Sequence, residues 1–81
     1  MKRYYLKNRS SKEIVTATFD SNEEGDWTIL EFDGEQPYFG SKEELERIRS
    51  GLCNFSWSYE ISKFVRLAIA LELLDIIEVE L

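Results

Sequence analysis

Polar and apolar residues alternate over residues 2–8. Tyr4 and Leu6 fall on one side and Arg3, Tyr5 and Lys7 on the other, which predicts a strand. Residues 13–19 are rich in β-branched types and place Val15, Ala17 and Phe19 on one face, a second strand. Asp20 to Asp26, with Gly25, reads as a loop, and Trp27 to Phe32 as a third strand. The inward face of that strand is ambiguous, because Trp27 and Ile29 oppose Leu30 and Phe32. A three-stranded antiparallel meander is the simplest arrangement.

Asp33, Gly34 and Pro37 interrupt the alternation. Ser41 and Glu44 then have the spacing of a capping box, in which each side chain satisfies the other residue's amide. A short helix follows to about Ser50 and stops at Gly51, with Leu45, Ile48 and Leu52 as its apolar stripe. Residues 55–61 carry two periods at once. Phe55, Trp57, Tyr59 and Ile61 alternate as in a strand, while Trp57, Ile61, Phe64, Ala68 and Leu71 fall at helical spacing. The helix formers from Ala68 to Leu74, with Ser58 as a cap and Glu60 in the first turn, favour a helix over 59–75, with a strand at 55–61 as the alternative. The tail, 77–81, alternates again and predicts a last strand.

The order β-β-β-α-α-β implies a single α+β domain: a small antiparallel sheet with two helices packed on one face. A chain of 81 residues supports one small core. Its 43% hydrophobic and 14% aromatic content is that of a folding sequence.

Charge adds a further constraint. The first twelve residues hold five bases (Lys2, Arg3, Lys7, Arg9, Lys12) and no acid, and the next twenty-eight hold eight acids and no base. The net charge is −6, which disfavours direct binding to nucleic acid or to an anionic membrane. Two arrangements accommodate the basic block. It can fold across the acids of residues 20–35, or it can pair with Glu78 and Glu80 of the last strand, each cross-strand pair contributing about 0.2–1 kcal/mol. The second is expected, and it leaves the acidic run facing solvent.

Chemistry is sparse. The chain has no histidine, so His-dependent triads and His-bearing zinc sites are excluded, and no glycine-rich phosphate loop is present. Cys53 is the single cysteine; beside Leu52 and Phe55 it reads as a small buried residue, and its solitude favours a reducing, cytoplasmic setting. Residues 67–81 are apolar but broken by Glu72, Asp75, Glu78 and Glu80, which excludes a spanning helix there.

Asp20, Asn22, Glu24, Gly25 and Glu31 have the spacing of oxygen ligands and turn glycine in a calcium loop, and the segment resembles an EF-hand. The resemblance implies calcium coordination by Asp20, Asn22, Glu24 and Glu31. Glu24 stands where Asp or Asn is usual and Trp27 where a branched aliphatic is usual, and the flanking Ile14 to Thr18 favours a strand over the helix a hand requires.

The reading that accounts for most of the sequence is a non-enzymatic, acidic protein-binding module. Its partner would be a protein with a basic surface, such as a nucleic-acid-binding site blocked by phosphate mimicry. By size and charge it is comparable with small inhibitors encoded by phages and other mobile elements. The expected contact residues are Asp20, Glu23, Glu24, Asp26, Glu31, Asp33 and Glu35, with Tyr38, Trp57 and Tyr59 as aromatic anchors. The alternatives are the calcium module and an accessory subunit or homodimer. Phe39 and Phe55 are expected to fill the core, and no cofactor is expected.

Overall fold

The computed structural model of the chain describes residues 1–23, 25–51 and 59–80. The described residues form an α+β fold with two helices. The elements are β1 (Lys2–Asn8), β2 (Thr16–Asn22), β3 (Gly25–Glu31), β4 (Gln36–Pro37), α1 (Lys42–Arg49), β5 (Tyr59–Ile61), α2 (Lys63–Ala70) and β6 (Leu74–Glu80). The strands form an antiparallel β1–β6 ribbon and a four-stranded sheet in the order β4-β2-β3-β5.

The two chain ends pair as their charges predict. Lys2 lies opposite Glu80, Tyr4 opposite Glu78 and Lys7 opposite Asp75. Lys2 Nζ reaches diagonally to Glu78 Oε1 at 3.3 Å. Short links tie the ribbon to the rest of the molecule: the Val15 amide donates to the Leu6 carbonyl at 2.8 Å, and the Gly40 amide to the Tyr4 carbonyl at 3.0 Å.

β2 begins and ends three residues later than the sequence predicts, and β3 begins two residues earlier. The expected loop from Asp20 to Asp26 is largely hairpin ladder, with Asp20 opposite Trp27, Ser21 opposite Asp26 and Asn22 opposite Gly25. The register settles the facing of β3. Leu30 lies beside buried Ala17 and points into the core, whereas Trp27 and Ile29 lie on the other face, half-buried.

The expected helix over 59–75 is shorter at both ends. Residues 59–61 form β5, which pairs in parallel with β3, Leu30 lying opposite Ile61. The cap of α2 is Ser62, whose hydroxyl accepts from the Val65 amide at 3.3 Å. The Ser62 amide itself donates to the Leu30 carbonyl at 2.9 Å, so the strand holds the cap in place. At the other end the Leu73 amide bonds to the Ala68 carbonyl and the Glu72 amide to the Ile69 carbonyl, a Schellman termination with Glu72 left-handed at φ 56°. Leu74 and Asp75 then belong to β6, which begins three residues before the predicted strand. The strand alternative for 55–61 holds over 59–61, and its first part lies outside the described residues, as do the expected roles of Ser58 as a cap and of Leu52, Cys53 and Phe55 as core.

α1 follows its sequence signals. Ser41 Oγ accepts from the Glu44 amide at 3.2 Å, Gly51 takes φ 76°, and Leu45 and Ile48 are buried. The reciprocal half of the capping box is replaced: the Glu44 carboxylate accepts from the Tyr38 hydroxyl at 2.7 Å. α1 packs on β1 and β6, and α2 on β3. Between them lies one cluster including Leu6, Val15, Leu30, Leu45, Val65 and Leu74, all essentially without solvent contact. Each such side chain contributes about 1.5–3 kcal/mol. Phe39 stands outside this core, 37% exposed, its ring edge-on to Tyr5 at 6.1 Å.

Candidate functional site: an acidic hairpin beside an apolar groove

The hairpin carries its acids on both faces. Side chains directly opposite in an antiparallel pair share a face, and successive residues alternate. Asp20 therefore shares a face with Trp27, Thr18 and Glu31, while Asp26 lies on the opposite face with Ser21 and Phe19. Glu23 is exposed at the turn. Asp33 and Glu35 are exposed in the segment that folds back after β3.

Two threonines fix that segment. Thr16 Oγ1 donates to the Glu31 carbonyl and accepts from the Gly34 amide, both at 2.6 Å. Thr18 Oγ1 donates to the Glu31 carboxylate at 2.7 Å and accepts from the Glu35 amide at 3.3 Å. A Cβ at position 34 would lie 2.6 Å from Thr16 Oγ1 and 2.8 Å from Thr18 Oγ1, so the turn requires glycine. The backbone of residues 31–35 is thus pinned against β2, which positions Asp33 and Glu35.

The described ion pairs are Lys2–Glu78 and Arg9–Asp75, and neither involves the hairpin. Arg9 holds the Asp75 carboxyl below its ordinary range, chiefly by direct hydrogen bonding, against a smaller opposing effect of desolvation; Arg49 and Lys12 add to the lowering. Lys2 and Arg9 of the basic block are therefore committed to β6. Among the described residues, Asp20, Glu23, Asp26, Asp33 and Glu35 have no basic partner.

The remaining candidates are distributed differently. Glu24 and Trp57 lie outside the described residues. Tyr59 contributes backbone to β5 at the edge of the four-stranded sheet. Tyr38 is half-buried, packs on the core and donates to Glu44, so its ring and hydroxyl serve the fold. Of the calcium-loop residues, Asp20 and Glu31 stand four positions apart along the ladder, about 13 Å between backbones at strand rise, and the Glu31 carboxylate accepts from Thr18 Oγ1. No three acidic or thiol groups among the described residues converge on a metal position.

Two residues noted at helical spacing, Phe64 and Leu71, lie on the surface with Leu67. Phe64 is 63% exposed, Leu67 56% and Leu71 58%, in a row down one flank of α2 and its C-cap. With Phe32 and Leu73 they line a groove of about 700 Å³ between α2 and residues 31–33. Glu13, Asp33 and Lys63 also line it, while the Glu31 carboxylate turns to Thr18 on the other face of β3. Lys63 Nζ sits 5.3 Å from the centre of the Phe64 ring, at the start of the helix.

No helix among the described residues is long and apolar enough to cross a membrane. No family model, curated protein or solved structure matches the chain.

Proposed function

We propose that the chain is a non-enzymatic binding module whose acidic hairpin and following segment recognise a basic surface on another protein. The observation that carries the reading is the division of charge. Lys2 and Arg9 pair with β6, while Asp20, Glu23 and Asp26 around the hairpin tip, and Asp33 and Glu35 toward the base of the same hairpin, have no counterions among the described residues. Like charges gathered on one projecting element repel each other and lower stability, and a cationic partner relieves that cost. Such a surface also steers association and rejects acidic partners.

Asp20 and Asp26 occupy opposite faces of the hairpin with Glu23 at its turn, so a partner that surrounds the tip fits these three better than one that reads a single phosphate-like row. A basic concave surface meets that requirement, and blocking it would make the module an inhibitor.

The test is affinity capture on matched columns. One carries the wild-type chain and the other the variant Asp20→Asn/Glu23→Gln/Asp26→Asn/Asp33→Asn/Glu35→Gln. The reading predicts basic proteins retained by the wild type at low salt, released at high salt and absent from the variant column. Identical retention on both columns, or retention indifferent to salt, contradicts it.

A further inference from the structure

From the groove along α2 we infer that the partner presents a basic amphipathic helix, which seats its apolar side against Phe64, Leu67 and Leu71. The inference rests on the acidic-module reading and adds the anchor that charge alone lacks.

Three large side chains, each more than half exposed, form a contiguous patch on a chain with a small core to fill. Patches of this kind mark interaction surfaces. Their spacing, 64, 67 and 71, follows one side of a helix for about 10 Å, the length over which a second helix can lay a matching apolar stripe. Helix-in-groove recognition uses this geometry.

The rim selects the sign of the partner. Among the described residues, Glu13 and Asp33 line the groove against Lys63 alone, and Lys63 Nζ lies over the Phe64 ring. Bases flanking the apolar stripe of an incoming helix would meet these two carboxylates. A second copy of this chain is a poor occupant, because each copy carries −6 and would bring its own acidic rim to the contact. An anionic membrane is disfavoured on the same ground.

The experiment uses the full chain and two synthetic peptides of identical leucine, lysine and alanine content, each about four helical turns long. One places its leucines at helical spacing and the other scrambles them. Each is titrated calorimetrically into the wild type and into Leu67→Ser/Leu71→Ser, whose changes fall on exposed positions and whose fold is checked by circular dichroism. The expected result is that the amphipathic peptide binds the wild type roughly tenfold or more tightly than the scrambled one, and that this advantage disappears in the serine variant. Amide shift changes should centre on residues 62–73 and 31–33. Equal binding of both peptides, with no effect of the serine changes, overturns the inference but leaves the acidic-module reading standing. An amphipathic peptide with glutamine for lysine that binds as tightly as the basic one overturns the basic character of the partner. No binding of either basic peptide at concentrations up to about 1 mM overturns both readings.

Discussion

Arg9 Nη2 donates to Asp75 Oδ1 at 2.9 Å, and Arg9 Nε to Asp75 Oδ2 at 3.3 Å, joining the end of β1 to the start of β6. The same guanidinium reaches the Glu72 carbonyl at 3.4 Å, and the Arg9 amide bonds to the Leu73 carbonyl at 2.8 Å. One residue thus fastens the turn after α2 to the N-terminal strand. This contact also commits an N-terminal base to β6 rather than to the acidic hairpin.

The pair makes stability depend on pH in a defined direction. Arg9 lowers the folded-state pKa of Asp75 below its unfolded value near about 4. The stabilisation is therefore fully present above the unfolded pKa and is lost as pH falls through the folded one. Urea unfolding of wild type and Arg9→Gln should show a difference at pH 7 that narrows in strong acid. A difference of equal size at both pH values would assign the effect of Arg9 to its backbone-carbonyl contact and packing instead.

Glu72 occupies a left-handed position without being glycine, which costs roughly 1–2 kcal/mol. Glu72→Gly should recover about 1 kcal/mol of stability in urea unfolding, because relief of that strain exceeds the extra flexibility of the unfolded chain. Destabilisation would show that the Schellman turn does not form as described.

Ser62 caps α2 where the sequence favours Ser58. Ser62→Ala should cost about 0.5–2 kcal/mol, and Ser62→Asp should retain most of the stability. An unchanged midpoint for Ser62→Ala would move the helix start away from residue 63.

Gly34→Ala should lower stability by about 1–3 kcal/mol, because the new methyl group meets two threonine oxygens that already hold the turn. The same variant should shift the amide resonances of residues 31–35, displacing Asp33 at the groove rim. A neutral substitution with unchanged spectra would contradict the pinned segment.

These tests fall where the sequence was and was not legible. The β1–β6 pairing could be read because strict alternation coincides with opposite charges. α1 could be read because Ser41 and Gly51 mark both ends. α2 resisted on three counts: two serines compete as caps, residues 55–61 satisfy two periods, and the left-handed residue that stops the helix is a glutamate. The parallel β3–β5 contact joins segments separated by β4 and α1, and local pattern carries no information on such a crossover. The acids of residues 20–35 were visible as a run, but their distribution over two faces follows from the hairpin register. The groove was hidden because Phe64 and Leu71 suit a core stripe equally well. The available signal was excess: Phe64, Val65, Leu67, Ala68, Ile69 and Leu71 span too wide an arc for one buried side of an eight-residue helix.

Recognition of a basic partner requires hairpin and segment carboxylates without internal counterions, and the urea stability at low salt of Asp20→Asn/Glu23→Gln/Asp26→Asn/Asp33→Asn/Glu35→Gln measures this directly. Removal of unrelieved repulsion should leave the variant as stable as the wild type, within about 0.5 kcal/mol, or more stable. A loss greater than about 1 kcal/mol would mean that these acids are already satisfied within the fold, and would contradict their assignment to a basic partner.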